Sequence, residues 1–177
     1  MKLNLGCGHR HKQGWVNADK YPPADILHDL EKTPWPWPDN SFDEVVLCHV
    51  LEHLGQTPNS FLQIMQELYR ICAGGALVTI TVPHPRHEFY LNDPTHVRPI
   101  TPEILAMFSK KQCEKWLQEN RANSPLALQI GVDFEQVSLN AVLDPRFEGK
   151  SNDEIAAAIV GQNNVICEMT IGLRAVK

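Results

Sequence analysis

The stretch "LNLGCGHRHKQGWVNADKY", Leu3 to Tyr21, determines the fold prediction. An apolar strand pattern ends in the turn Gly6-Cys7-Gly8, and a second strand pattern ends soon afterwards at Asp19. Glycines after a strand allow a sharp turn and let a ligand approach main-chain N–H groups. The dinucleotide fingerprint requires a third glycine where this chain has His11, and no Walker pattern is present. The stretch therefore favours a nucleoside site over a pyrophosphate site.

The composition is that of a globular protein with one domain, predicted to cover residues 1–177. Hydrophobic residues make up 43% and charged residues 21%, which is sufficient for a core. The five cysteines are scattered and form no C-x-x-C pair, which argues against a disulfide framework and against a cysteine zinc site. The absence of a signal pattern and of a long apolar run predicts a cytoplasmic protein with no membrane partner.

The net charge of -5 and the lack of any Lys or Arg run lower the expectation of a nucleic-acid partner. A basic patch assembled by folding from distant residues stays open at this point.

Strand and helix patterns alternate along the chain. Helical spacing predicts helices over 57–72, 101–120 and 151–161. Gly74-Gly75 is the predicted stop of the first helix. A strand bulged near Gly131 is predicted over 126–143, and a last strand over 164–176. These patterns predict an α/β fold. Its sheet is Rossmann-like and mainly parallel, with helices on both faces and a C-terminal antiparallel β-hairpin.

Two acids follow consecutive strand patterns and suit a nucleoside. Asp19 can accept bonds from both hydroxyls of a ribose, and Asp29, which ends the third strand pattern, can face an adenine edge. The alternative for each acid is ordinary turn or cap chemistry.

The stretches "LNLGCG", "NAD", "HDL", "PDNSFDEVVLCHVLEHL" and "ELYRICAGGALVTITVP" resemble class I S-adenosylmethionine-dependent methyltransferases. The resemblance is closest to the type 11 methyltransferase domain and covers roughly residues 3–105. It implies the methyltransferase fold, methyl transfer as the activity and S-adenosyl-L-methionine as the cofactor. The crossover between Gly8 and the second strand is shorter than in the family. The positions that the resemblance assigns to the cofactor are Gly6, Cys7 and Gly8 near the methionine part, Asp19 at the ribose, Asp29 and Leu30 at the adenine, and His49 beside the methionine part.

Residues 83–100 form a polar segment that is too long for an idle connection, and we interpret it as a loop that covers the acceptor. An imidazole titrates near neutrality, so histidines here can remove a proton from an acceptor. No helical H-x-x-x-H pair is present, and no metal site is expected. The candidate catalytic residues are His84, His87 and His96.

Other residues of this segment have two readings. Arg86 and Arg98 can hold an anionic acceptor group. Asp93 can instead cap a local turn, and His96 can simply bond a neighbouring carbonyl.

The leading hypothesis is methyl transfer to a small-molecule acceptor, including a sugar or glycan intermediate. The family's motifs for methylating DNA bases are absent, because "CHVLEH" stands where a tetrapeptide for amino groups would lie and no Pro-Cys occurs. A methyltransferase-like binding module without turnover is the competing hypothesis, and a histidine-metal hydrolase is a third. Two arrangements of the acceptor pocket stay open at this point, an open, degenerate pocket and a pocket completed by the second subunit of a homodimer.

Overall fold

The computed structural model describes residues 1–177 and contains a seven-stranded sheet with the order β3-β2-β1-β4-β5-β7-β6. Strands β1 to β5 run parallel, whereas β7 runs antiparallel to both β5 and β6. The predicted mainly parallel sheet with an antiparallel C-terminal pair is confirmed. The strands are β1 Lys2–Leu5, β2 Val16–Asp19, β3 Ile26–Leu27, β4 Phe42–Cys48, β5 Cys72–Pro83, β6 Phe134–Leu143 and β7 Ile166–Ala175.

Six helices accompany the sheet, together with single 3-10 turns at Leu51–His53 and Pro145–Phe147. None of the helices is both long and apolar enough to cross a lipid bilayer. The helices are α1 Pro58–Ile71, α2 Glu88–Leu91, α3 Pro102–Ala106, α4 Lys110–Gln118, α5 Leu126–Ile130 and α6 Asn152–Gly161.

Helix α1 forms where its capping signals and apolar spacing agree. The Thr57 side chain accepts the Ser60 N–H, and Pro58 occupies the first turn. Its apolar stripe is buried, which matches the predicted spacing. The predicted stop at Gly74-Gly75 is wrong, because the chain enters β5 at Cys72 and both glycines lie within that strand. The buried stripe consists of Phe61, Ile64, Met65, Leu68 and Ile71.

The helix predicted over 101–120 is two helices. Ser109 caps α4 by accepting the Gln112 N–H, so the chain restarts there instead of continuing from α3. Phe108, in the break between the helices, is fully buried in the core.

The strand predicted over 126–143 begins only at Phe134, because residues 126–130 form α5. Gly131 has a φ of 73° and ends that helix, which is the usual use of a glycine there. The irregularity predicted near Gly131 lies instead between Gln136 and Ser138.

Helices cover the two faces of the sheet unequally. Fully buried residues such as Val45 and Ile80 share one core with α1, whereas their neighbours Val46 and Thr79 are only half-buried. The connections from β1 to β2, β2 to β3 and β3 to β4 contain no helix. The sheet face that carries Val45 and Ile80 therefore packs against α1, whereas the face that carries Val46 and Thr79 is less covered.

Candidate cofactor site

A cavity of about 750 Å³ opens at the carboxyl ends of β1, β2 and β4. This is where open parallel sheets bind ligands, and the volume suits a small molecule. Six of the seven predicted cofactor residues line it, whereas Cys7 is buried behind the wall. Those six are Gly6, Gly8, Asp19, Asp29, Leu30 and His49.

The glycine turn has the backbone that only glycine adopts easily. Gly6 has a φ of 62°, and a Cβ placed there would lie 2.4 Å from Cγ2 of Val50. Gly8 has a φ of 47° and faces open space. The Cys7 N–H donates to the Ala18 carbonyl at 3.0 Å and so ties the turn to β2. At the cavity, Gly6 and Gly8 of the turn therefore present main-chain atoms and no side chains.

Asp19 is held at the rim of the cavity by two main-chain donors. Its Oδ2 accepts the Gly8 N–H at 2.8 Å, and its Oδ1 accepts the Tyr21 N–H at 2.9 Å. A carboxylate oxygen can accept more than one bond, so each oxygen retains capacity for a ligand hydroxyl. The bonds fix the orientation of the carboxylate before any ligand binds.

Asp29 and Leu30 follow β3 on the neighbouring side of the cavity. Asp29 Oδ1 accepts the Glu31 N–H at 3.2 Å, which is the turn role considered as the alternative for this acid. Oδ2 of Asp29 accepts no hydrogen bond from the protein. Leu30 is buried, and its carbonyl accepts from Nε1 of Trp35 at 3.0 Å, which anchors the segment to the core.

His49 directly follows β4 and has a φ of 56°, a strained value for a residue with a Cβ. Its Nε2 lies 2.8 Å from Oε2 of Glu168, and its Nδ1 lies 3.5 Å from Oε1 of Glu52. The Glu52 carboxylate, with help from Glu168, raises the pKa of His49 above the ordinary 6.5 despite partial burial. The protonated form of the His49 imidazole is therefore favoured more than in a free histidine.

The three predicted catalytic histidines do not line the cavity. His84 accepts the Arg86 N–H on Nδ1, and burial lowers its pKa. His87 is fully buried, with Nε2 3.2 Å from Oδ2 of Asp144. His96 bonds the Tyr90 carbonyl through Nδ1 at 2.8 Å.

Residues 83–100 nevertheless reach the cavity. The main-chain N–H groups of Val97 and Arg98 donate to the Glu52 carbonyl, which ties the segment to the 3-10 turn after β4. Pro94, Thr95 and Val97 line the cavity, and sequence reasoning did not single them out. Their only signal was their place in a long polar segment.

Both arginines of this segment have other partners. Arg86 donates to the carbonyls of Ile159 and Gln162, at the end of α6. Arg98 donates to the Gly55 carbonyl and lies over the Phe61 ring.

Comparison with known proteins agrees with this geometry. A family described as a methyltransferase domain matches residues 11–80, from the first crossover to the middle of β5. A S-adenosylmethionine-dependent methyltransferase from Archaeoglobus fulgidus superposes with a TM-score of 0.60 at 15% identity, covering 98% of this chain and 85% of that one. The chain thus has the fold of class I S-adenosylmethionine-dependent methyltransferases, and the methyltransferase-domain family matches the part of it between residues 11 and 80.

Two further structures share the fold of this chain. The Burkholderia thailandensis 1,6-didemethyltoxoflavin-N1-methyltransferase, solved with its acceptor and S-adenosylhomocysteine, has a TM-score of 0.56 at 12% identity, over 99% of this chain and 71% of that one. A Haloferax volcanii methyltransferase solved with its Trm112 activator has a TM-score of 0.55 at 14% identity, over 99% and 82%. No curated protein matches the chain by sequence.

The residues at the cavity fit the cofactor of this class. Gly6 has no room for a side chain because a Cβ there would clash with Val50, which also lines the cavity. Asp19 presents a fixed carboxylate to a ribose, and the glycine turn leads into no helix that would bind a phosphate. S-Adenosylmethionine is a nucleoside that carries an amino acid and has no phosphate.

Proposed function

We propose that this chain is a methyltransferase that binds S-adenosylmethionine across the ends of β1 to β4 and transfers its methyl group to a small-molecule acceptor. The proposal rests on the observation that two separate parts of the chain line the same cavity. Gly6 and Asp19 line it from the strand ends, and Thr95 and Val97 line it from the segment after β5. A cofactor on the first wall would thus present its methyl group towards the second.

Each cofactor residue has a role in this proposal. The two oxygens of Asp19 accept the ribose hydroxyls, and the free oxygen of Asp29 with the main chain of Leu30 meets the adenine. The main chain at Gly6 and the ring of His49 lie beside the methionine part. The N–H groups of Cys7 and Gly8 already donate within the protein, so these two residues shape the wall rather than bond the cofactor.

The chemistry requires alignment more than acid–base help. The bound cofactor supplies a methyl group on a sulfonium, whose leaving group is neutral. The protein contributes orientation of the acceptor and exclusion of water, which can lower a barrier greatly. The raised pKa of His49, caused mainly by Glu52, favours the protonated imidazole, which suits charge balance better than proton removal.

The cavity size supports an acceptor of small-molecule class. A cavity of about 750 Å³ has room for a nucleoside cofactor and a compact acceptor group. The didemethyltoxoflavin enzyme, which has the same fold, acts on a small heterocycle. Because the likeness lies in the fold, it indicates the scale of the acceptor and not its identity.

The competing function is a module that binds the cofactor without methyl transfer. The same fold occurs in the [4+2]-cyclase SpnF, with a TM-score of 0.54, so the fold alone does not dictate methyl transfer. This alternative predicts cofactor binding without turnover.

Calorimetry with S-adenosylhomocysteine, followed by labelling with methyl-tritiated cofactor and fractionated small-molecule extracts, tests the proposal. We expect binding of the product, and radioactive methyl in a low-mass fraction that disappears in the Asp19→Ala variant. Binding without label in any fraction would favour the module. Failure to bind the product would refute the cofactor site itself.

A further inference from the structure

Glu52 is a buried carboxylate without a hydrogen-bond partner. It lies in the 3-10 turn after β4, its side chain is 1% exposed, and neither oxygen accepts a hydrogen bond. The nearest cation is the His49 ring at 3.5 Å, outside hydrogen-bond geometry. His49 offers Glu52 a counter-charge, but both buried oxygens still lack a hydrogen-bond donor, which is unfavourable and which a bound metal ion would relieve.

The hydrogen bonds of His53 to Thr95 determine which nitrogen of its neutral ring carries the hydrogen. Its Nδ1 lies 3.0 Å from Oγ1 of Thr95 and 3.3 Å from the Thr95 carbonyl. The Thr95 hydroxyl already donates to Asp93, and a carbonyl can only accept, so Nδ1 of His53 must carry the hydrogen. The neutral ring then has its lone pair on Nε2, which is the form that binds metals.

His96 has the same tautomer for the same reason. Its Nδ1 lies 2.8 Å from the Tyr90 carbonyl and therefore donates, so the lone pair is on Nε2. The side chain is 7% exposed, and its ring centroid lies 4.6 Å from that of His53. Metal-binding histidines commonly have their second nitrogen fixed by a carbonyl or hydroxyl in this way.

Main-chain bonds bring the three groups together from two distant segments. Because the Glu52 carbonyl accepts the N–H groups of Val97 and Arg98, His96 is held over the turn that carries Glu52 and His53. One ligand atom from each of the three residues lies within 4.8 Å of the other two. We propose that Glu52, His53 and His96 form a binding site for a divalent transition-metal ion, with zinc as the most suitable ion.

The donor set determines the class of metal. Two imidazoles and one carboxylate suit zinc, cobalt or iron, whereas calcium and magnesium prefer oxygen ligands alone. Tetrahedral zinc with bonds of about 2.1 Å requires ligand separations of about 3.4 Å, which small side-chain rotations reach from 4.8 Å. Oδ2 of Asp93, 3.8 Å from Nε2 of His96, is available as a fourth ligand or as a partner for bound water.

A second cluster of residues that could bind a metal differs from the Glu52 cluster in its hydrogen bonding. His87, Asp144 and Cys167 also lie together, and all three are buried. There, Nδ1 of His87 accepts the Phe89 N–H, so Nε2 carries the hydrogen and donates to Asp144. Arg146 pairs with the same carboxylate. This cluster is satisfied by its own hydrogen bonds, whereas the cluster around Glu52 is not.

The position of the metal site next to the cofactor cavity indicates how the ion would act in methyl transfer. This step of the inference rests on the proposed function. His53 lines the cofactor cavity, so a metal there would face the acceptor side. A position left open by three protein ligands can bind an acceptor hydroxyl and lower the pKa of that hydroxyl. The hydroxyl proton leaves to water, the oxygen forms the new C–O bond to the methyl group, and the electron pair of the broken C–S bond stays on sulfur. The site thus favours hydroxyl-bearing acceptors and O-methylation.

Cobalt titration of the full chain, stripped with a chelator, tests the site without an acceptor. We expect a single equivalent of Co²⁺ to give visible bands without a thiolate charge-transfer band, and Zn²⁺ to displace it. Glu52→Gln and His96→Ala should each abolish these bands. Cys167→Ala, in the second cluster, and His11→Ala, an exposed histidine bonded to the Pro23 carbonyl, should keep them.

The melting temperature separates a lost site from a lost fold. Zn²⁺ should raise the melting temperature of the metal-free parent and leave that of metal-free Glu52→Gln unchanged, and a cooperative melt of the variant shows that it is folded. A thiolate band, bands retained by Glu52→Gln, or no cobalt binding at all would overturn the proposal. If stripped protein binds S-adenosylhomocysteine but no cobalt, only the metal site fails; cobalt binding without S-adenosylhomocysteine binding refutes only the proposed function.

Discussion

Replacing Asp19 with Ala tests the cofactor site most directly. In the structure, the carboxylate accepts the N–H groups of Gly8 and Tyr21, one on each oxygen. Each oxygen therefore has capacity for about one further bond, which sets the upper limit at two ribose hydroxyls.

The expected loss of affinity follows from that limit. A hydrogen bond to a charged group contributes about 1.5–3 kcal/mol net, and Asp19 is only half-buried, which places each bond at the lower end. Two such bonds amount to about 3 kcal/mol, which corresponds to a rise in Kd on the order of 100-fold.

Isothermal titration with S-adenosylhomocysteine measures the change, and Asp25→Ala is the matched control. Asp25 Oδ2 accepts the N–H of Asn17 at 2.8 Å and its Nδ2 at 3.0 Å, so its removal also breaks local bonds near β2, but Asp25 does not line the cavity. The control should retain affinity within about threefold. Equal losses in both variants, or unchanged affinity in Asp19→Ala, would refute the assignment of the ribose site.

Other perturbations probe the surroundings of the site. Gly6→Ala should lower the free energy of unfolding in urea by about 1–3 kcal/mol, because Gly6 has a positive φ and an added Cβ would clash with Val50. Adding Val50→Ala should restore part of this stability, and a double variant as unstable as Gly6→Ala would contradict the steric explanation. The raised pKa of His49 stabilises the fold fully below the ordinary value of 6.5, and this contribution is lost as pH rises through the folded-state pKa. Unfolding curves from about pH 5.5 to about pH 8.5 should therefore show a decline that Glu168→Gln weakens, and an unchanged slope in that variant would count against the pairing. His87→Ala should cost about 3 kcal/mol of stability, since it leaves buried polar groups unpaired, yet leave the Kd for S-adenosylhomocysteine within about twofold; a large loss of affinity in the folded variant would place His87 in the site after all.

Much of the sheet was readable from local signals. The glycine turn before Asp19, the apolar runs of β4 and β5 and the capped, amphipathic α1 are each specified within a few neighbouring residues. Such signals depend on backbone conformation and side-chain periodicity, which the local sequence carries. Parallel strands then bring their carboxyl ends to one edge, so six of the seven predicted cofactor residues meet at one cavity.

Local signals were least reliable where tertiary packing competes with them. Residues 126–130 have an apolar pattern compatible with a strand, yet they form a helix. Ala127 in that helix is fully buried, and its N–H donates to the Met107 carbonyl, a contact that no local window contains. Long-range packing of this kind routinely overrides propensity.

The sequence by itself determined the positions of most strands along the chain, the glycine turn and the acids that follow it, because each depends on residues close together in the chain. Only the tertiary structure determined which histidines face which partners. His87 meets Asp144 across 57 positions, and His53 meets Thr95 across 42. The protonated nitrogen of each ring, and the burial of Glu52 beside two imidazoles, follow from contacts between distant segments, which form only when the chain has folded.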